Sequence, residues 1–390
     1  MTAVDQGLDI LMLGTAEWNS PIATNQHYVV RELAMDSPVT FTESLGLRRP
    51  KVVRADLERM AKRVRAAYST AEATRRPVPA NARVVSPLIA PVHRAPTRIP
   101  NGMLLRRALR HWQTSTRAKL LWTFSPVTYG FEKEAKGTVY HCVDLLAEVA
   151  GIDRVAVSRG EHRLARFGAT AIATSNSVAD HLRGVGFDEV ILLPNVADTS
   201  VFVAASRPAA KREPTVVFGG NLSPHKIDMD VLRTVAEAVR GRARLVLAGP
   251  VAAGGGSFEA QLDELTRLGA DYRGLLDLQQ LAELTGAAAV GIIPYADNAY
   301  NRGVSPLKCY EYLASGLAVV GSGVPEIDRL AANNPHVEFA TDPVHFTQAV
   351  LVALGAADNN MIAERQEYAR AMSWDVRGTV LRDLATKTAA

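Results

Sequence analysis

Lys308 and Glu311 stand three positions apart in "GVSPLKCYEYLASGLAVV" (303–320). On a helix that spacing puts an ammonium and a carboxylate on one face. As a surface ion pair they contribute only ~0.2–0.5 kcal/mol. As ligand groups, the lysine meets a phosphate while the carboxylate accepts two neighbouring hydroxyls, such as those of a ribose. The flanking residues favour the second use. Ser305 is suited to N-capping, Pro306 to the first helical position and Gly316 to the stop, which predicts a helix over 306–315. Its amino end follows the strand candidate "VGIIPY" (290–295) and the loop "ADNAYNRGV". An anion there meets bare N–H groups, the positive end of the helix dipole and Lys308 together. Phosphate at the tip with ribose beside it describes a nucleotide diphosphate.

"FGGNLSPHKIDMD" (218–230) offers a second contact to the same ligand. Gly219 and Gly220, with Asn221 in the same turn, let the backbone approach a diphosphate, and Lys226 adds charge. The plainer alternative is a strand-to-helix turn capped by Ser223 or Asp228. Asp228 and Asp230 form a DxD, but at a helix start the two acids diverge and suit the dipole, so no metal is expected. In "TVYHCVDLLAEVAG" (138–151), Asp144 ends a strand, where a carboxylate can take a proton from an attacking hydroxyl. It serves equally as the N-cap of the run that follows. His141 is the second candidate for the catalytic group, as a packed or site-lining histidine. In "TAEWNSPIATNQHYVVREL" (15–33), Glu17, Asn25 and His27 are candidates for an acceptor pocket, with capping by Thr24 or Asn25 the simpler role.

Positioning these groups requires strands whose ends meet. Short apolar runs alternate with helix-length segments: "DILMLG" (9–14), "RVVSPLIA" (83–90), "KLLWTFS" (119–125), "TVYHCVD" (138–144), "AIATSN" (171–176) and "VILLPN" (190–195). After "AASRPAAKREP" (204–214) the pattern restarts with "TVVFGGN" (215–221), "RLVLAGP" (244–250), "VGIIPY" (290–295) and "LAVVGSG" (317–323). Such βα units build parallel sheets covered on both faces. The expected architecture is α/β, with two Rossmann-like doubly wound domains facing across a cleft, 1–203 and 215–390, joined by a linker at 204–214. Ligands then bind outside the carboxyl ends of the strands. GxGxxG is absent after the first strand and no Walker A lysine motif occurs, which disfavours nicotinamide and P-loop chemistry. The run "GGG" at 254–256 is read as a connection.

The chain has 390 residues, 47% hydrophobic and 22% charged, the balance of a globular protein with room for two cores. No apolar run reaches the ~18 residues of a membrane span. The start, "MTAVDQGLDILMLG", has no signal-peptide pattern, and the two cysteines, Cys142 and Cys309, are far apart, so a reducing cytoplasm is expected. Residues 1–210 carry 27 Lys and Arg against 19 Asp and Glu, while 211–390 carry 17 against 21. The excess lies in 48–76 and in 94–119, which has no acid, and implies an anionic partner: membrane surface, acidic glycan or nucleic acid. "GMLLRRALRHWQTSTRAKLLW" (102–122) reads as a basic amphipathic helix, with Met103, Leu104, Ala108 and Trp112 near one face and Arg106, Arg107 and Arg110 near the other.

"PYADNAYNRGVSPLKCYEYLASGLAVVGSG" resembles the donor-site segment of GT-B glycosyltransferases. It is similar to family 4, to the teichuronic-acid-type transferases of bacterial surface polysaccharides and to the xanthan-assembly glucuronosyltransferase. "ILLPNVADTSVF" (191–202) resembles the segment entering the second domain, and "SWD" (373–375) the motif near the C-terminus. The resemblance covers the second domain well and the first in patches. It implies a metal-independent hexosyltransferase without cofactor. Its donor, a nucleotide-diphosphate sugar, would be held by Gly219, Gly220, Asn221, Lys226, Tyr295, Ser305, Lys308 and Glu311, with Tyr295 by the base. The register of Asp144 resembles the general base of the xanthan enzyme. The acceptor would be a glycan, a lipid-linked glycan or a small molecule, nucleic acid drops out, and the last helix is a candidate to return to the first domain. The expected place is the cytoplasm, peripheral on the inner face of the cell membrane. This chain has Gly303 where the family-4 signature has its earlier glutamate, so the retaining chemistry of that signature is not carried over. A non-catalytic partner subunit and a sugar-nucleotide epimerase of the same fold are the alternatives.

Overall fold

The computed structural model describes residues 7–47, 76–90, 93, 97–149, 151–251, 257–355 and 358–390. Most of the basic stretch 48–76 and the glycine run 254–256 lie outside the described residues. The chain forms two compact units, Met1–Leu193 with Gly378–Ala390, and Pro194–Arg377. Residues 204–214 lie inside the second unit. They contain the end of helix Thr199–Ala205 and a 3-10 turn at Ala209–Lys211, and the Arg212 side chain is bound there.

The first unit holds a sheet of β1 (Leu8–Leu13), β2 (Val39–Thr42), β3 (Ala82–Val85), β4 (Ala118–Thr123), β5 (Gly137–Cys142), β6 (Thr170–Ala173) and β7 (Val190–Leu192). Their order is β3-β2-β1-β4-β5-β6-β7 and the pairings are parallel. The second unit holds β8 (Thr215–Gly219), β9 (Arg244–Ala248), β10 (Asp271–Tyr272), β11 (Val290–Pro294), β12 (Ala318–Ser322) and β13 (Val337–Phe339). Here the order is β10-β9-β8-β11-β12-β13, again parallel. Both sheets are Rossmann-like and doubly wound. Their strand order reverses between β1 and β4 in one and between β8 and β11 in the other.

Burial on both faces explains the apolar runs: Ile10, Leu11, Met12 and Leu13 of β1 are each at most 1% exposed. Helix Met229–Val239 covers the second sheet with Val231, Leu232, Val235, Ala236 and Val239, all buried. Its start is capped by Asp228, which accepts from the N–H groups of Asp230 and Val231 at 3.0 and 3.1 Å. Asp230 instead pairs with Arg233 at 2.6 Å. The DxD is thus a cap followed by a first-turn acid. Among the described residues no cluster of His, Cys, Asp and Glu could hold a metal ion.

Two expected helices take other forms. In place of one helix over 102–122 there are Arg98–Ala108 and Arg110–Gln113, after which β4 begins. Leu105, Leu109 and Trp112 enter the core beside Leu11, Leu13, Leu121 and Phe131. Met103 and Leu104 are 69% and 48% exposed, so they share the solvent face with the arginines rather than opposing them. After β5 there is no α-helix among the described residues 144–149 and 151. A 3-10 turn, Leu146–Glu148, follows Leu145, and the next helix, Arg154–Arg166, is capped by Asp153.

Candidate functional site

The reversal between β8 and β11 is where a doubly wound sheet opens a ligand crevice, and the predicted donor residues cluster there. The end of β8 and the turn after it carry Gly219, Gly220, Asn221 and Lys226. The segment after β11 carries Tyr295 and Ser305 and leads into helix Leu307–Ala314 with Lys308 and Glu311.

Tyr312 fixes this helix to the two central strands. Its hydroxyl accepts the Gly219 N–H at 2.8 Å, and a Cβ on Gly291 of β11 would lie 2.4 Å from its ring. The helix buries Cys309, Tyr310, Tyr312, Leu313 and Ala314. That leaves Lys308 and Glu311 half-buried on the remaining face. The lysine side chain lies along the glycine turn: a Cβ on Gly220 would stand 2.5 Å from Lys308 Cε and 3.2 Å from its Nζ. Gly220 must therefore be glycine to admit the ammonium beside the backbone. Among the described residues, Lys308 forms no ion pair with Glu311 or with any other carboxylate. The surface-pair reading of the two residues is not what the fold does with them. Burial raises the Glu311 carboxyl above its ordinary pKa, and Lys308 pulls it partly back.

The glycine turn is itself held from behind. Gly220 N–H donates to Ala248 O at 2.8 Å, Leu222 N–H donates to Pro250 O at 2.9 Å, and Gly249 has φ +130°. A Cβ on Gly249 would meet Gly220 O at 2.0 Å. Lys226 and the 296–303 loop clasp each other: Asn301 Nδ2 donates to Lys226 O (3.0 Å) and Ala296 O (2.7 Å). The Lys226 ammonium lies 5.2 Å from the Tyr300 ring centroid, and His225 meets that ring edge-on at 5.6 Å. Tyr300 escaped sequence reasoning because nothing in "NAYNRG" distinguishes its tyrosine from a loop residue. Tyr295 is buried, with its carbonyl accepting from Ser322 Oγ at 2.9 Å.

Ser305 departs from expectation. Helix Leu307–Ala314 follows Pro306 and has no side-chain cap bond. The Ser305 hydroxyl accepts the Asn195 N–H at 3.0 Å, and Asn195 Nδ2 donates to Ser305 O at 2.9 Å. It ties "PNVAD" to the segment after β11 instead of capping. No side chain caps the amino end of the helix, where Leu307 N–H donates to Ser305 O at 3.0 Å and Cys309 N–H to Pro306 O at 3.1 Å.

In the first unit Asp144 lies two residues beyond β5, the strand next to β4. It is half-buried, and its carbonyl accepts from Cys142 Sγ at 3.3 Å. It is not the cap of the 3-10 turn that follows, whose cap position is Leu145 and which has no side-chain cap bond. His141 is buried in an aromatic stack, 4.6 Å from Phe124 and 6.0 Å from Trp122 by ring centroids. That arrangement is the packed reading of His141. His27 is buried and occupied: Nδ1 accepts the Thr24 N–H at 3.0 Å, and Nε2 lies 3.2 and 3.1 Å from the carbonyls of Glu17 and Trp18. Those contacts make Nε2 the protonated nitrogen, and burial lowers the ring's pKa. With both nitrogens bound at the start of helix Asn25–Leu33, His27 has none left for an acceptor. Glu17 is exposed on the same segment.

Comparison with known proteins bears on the family and the fold. Residues 213–355 match the family model of glycosyl transferases group 1. TuaH of Bacillus subtilis (strain 168), whose name assigns it to teichuronic acid biosynthesis as a glycosyltransferase, is 29% identical over 163 residues, 40% of this chain and 39% of TuaH. The match thus spans about two fifths of that relative's length. Among solved structures, sucrose-phosphate synthase from Thermosynechococcus elongatus superposes with a TM-score of 0.69 at 16% identity over 98% of each chain. Anabaena HepE in complex with UDP gives 0.66 at 12% identity, covering 97% of this chain and 99% of that one.

Proposed function

We propose that this chain, which carries a glycosyl transferases group 1 domain in a GT-B fold, transfers a sugar from a nucleotide diphosphate to a hydroxyl. The observation that carries the proposal is the approach of Lys308 to Gly220 at the strand reversal, with Glu311 one turn further on and no ion pair between them. Unpaired, the ammonium is available to the diphosphate of the donor, and the half-buried carboxyl to the ribose hydroxyls. Negative charge develops on the diphosphate as the sugar leaves. Lys308, Lys226 and the positive end of the dipole of helix Leu307–Ala314 offset that charge without a metal. Asp144 takes the proton of the attacking hydroxyl in the first unit. No cofactor enters this chemistry.

The finer assignments rest on surface chemistry. Helix Arg98–Ala108 exposes Ile99, Met103 and Leu104 among Arg98, Arg107 and Arg110, a basic and apolar face suited to an anionic membrane. No helix among the described residues is long and apolar enough to cross a membrane. On this reading the enzyme works in the cytoplasm, at the inner face of the membrane, on a glycan or lipid-linked acceptor. HepE, solved with UDP, makes uracil the first base to try.

A panel of nucleotide sugars tested by thermal shift and by release of nucleoside diphosphate checks the proposal. One donor should stabilise the protein and turn over when an acceptor is added. Binding without turnover on any acceptor would mark a partner subunit, and conversion of the donor's sugar without acceptor an epimerase.

A further inference from the structure

Helix Leu307–Ala314 ends on carbonyls that side chains hold. Gln366 Nε2 donates to Ala314 O at 3.2 Å, Arg212 Nη2 to Ser315 O at 2.6 Å and Arg365 Nη1 to Gly316 O at 3.0 Å. Arg212 is fixed in turn, its Nη1 donating to Ala288 O and its Nε to Arg207 O, both at 2.9 Å. Gly316 has φ +80°, and a Cβ there would come within 2.7 Å of Arg212 Nη2. Among the described residues neither arginine forms an ion pair with a carboxylate. Arg365 is only 4% exposed. Burial and the neighbouring Arg365 bring the Arg212 pKa down to about 10.

Stopping a helix needs no more than a glycine in the left-handed region, which Gly316 already supplies. A buried arginine beside a half-buried one at that stop is a cost to folding, opposed by the negative end of the helix dipole and, for Arg365, by the charges of Asp358 and Glu364. We propose that Arg212 and Arg365 are positioning residues for the diphosphate site at the other end of the same helix. By gripping the last carbonyls they fix the helix so that Lys308 lies along Gly220. By countering the dipole's negative end they also leave the amino end more positive toward an anion. The helix is only about 12 Å long, so both effects reach the ligand. The inference rests on the proposed function, and it places two residues in the donor machinery that the ligand never touches.

The test uses the full chain and the nucleoside diphosphate that wild type binds best among UDP, GDP and ADP, with its parent nucleoside as control. Dissociation constants come from calorimetry for the diphosphate and ligand-observed NMR for the nucleoside. Arg212→Met and Arg365→Met should each weaken the diphosphate about three- to thirtyfold while the nucleoside changes less than twofold. Arg365→Lys should recover most of the loss and, as the milder change, covers the case in which Arg365→Met fails to fold. Folded variants that bind the diphosphate like wild type would overturn the proposal. Equal weakening of diphosphate and nucleoside would do the same, since it marks general damage to the site. If wild type binds none of the three diphosphates, the donor reading itself falls and this one with it.

Discussion

Glu311 carries a carboxyl that folding pushes toward its protonated form, because burial outweighs the nearby Lys308. A raised folded-state pKa means that the native chain binds more protons than the unfolded one above pH 4.5, the ordinary value. Stability contributed by this residue therefore falls as pH rises through that window. Glu311→Gln should melt at a higher temperature than wild type at pH 8, with the gap closing toward pH 4.5. It should also bind nucleoside diphosphate about tenfold more weakly, through loss of a charged acceptor. Calorimetric melts and titrations read both arms, and a variant no more stable at pH 8 would contradict the burial argument. Asp144 permits a cleaner separation. Since it is not the cap of the 3-10 turn that follows, Asp144→Asn should leave melting and donor binding near wild type and lower turnover about a hundredfold. The product's anomer should be opposite to the donor's, as expected for a single displacement assisted by a base. Near-normal turnover, or a retained anomer, would remove Asp144 from catalysis. The place of Lys308 and Glu311 after β11 was legible in the sequence from the strand and loop before them, while their spacing alone left an ion pair and a ligand site both open. Tyr312, Arg212 and Arg365 were not legible, since their roles depend on which backbone groups tertiary packing brings within reach.

At the scale of elements, the candidate donor site is two turns wedged together, and the glycines test how. Gly220→Ala places a methyl against the flexible end of Lys308 and the edge of Phe218, at 2.5 and 3.0 Å. The protein should fold and melt within a few degrees of wild type, yet bind nucleoside diphosphate about tenfold more weakly as the ammonium is displaced. Gly249→Ala presses a methyl on the Gly220 carbonyl and holds alanine at φ +130°, which should cost about 3 kcal/mol or more. Thermal melts distinguish the two, and similar stability losses would contradict this division between side-chain and backbone contacts. Ten strand runs were legible because parallel strands buried on both faces read as continuous apolar stretches. Three were missed. β2, "VTFT", is half threonine, β13, "VEF", carries a glutamate, and β10 is two residues long. The missing helix after Asp144 has a different cause: "LLAEVAG" has helical composition, but its chain is taken into a 3-10 turn before the cap at Asp153.

For the whole molecule, the uneven charge makes a prediction that a single site does not. Arg106 pairs with Glu134 at 2.8 Å and lies 5.1 Å from the Phe131 ring centroid, so it belongs to the fold. The exposed Arg98, Arg107 and Arg110, with Ile99, Met103 and Leu104, form the candidate membrane face. Reversing those three arginines to glutamate should release the protein from vesicles containing phosphatidylglycerol at low salt, as should added salt for wild type. Wild type that ignores such vesicles at low salt would contradict the membrane reading. The charge asymmetry was visible in composition. Which apolar residues of this helix face solvent was not, because Leu105, Leu109 and Trp112 compete with Met103 and Leu104 for the core and only packing decides between them.

The central claim is that Lys308 serves the departing diphosphate of a nucleotide-sugar donor, and one measurement tests it directly. Nucleoside diphosphate release is followed for wild type and Lys308→Ala on the same donor and acceptor, with melting temperatures recorded alongside. Wild type should turn the donor over, and the folded variant should be slower by about a hundredfold, the loss of ~2.7 kcal/mol of transition-state stabilisation. A folded Lys308→Ala that releases nucleoside diphosphate at the wild-type rate would contradict the account.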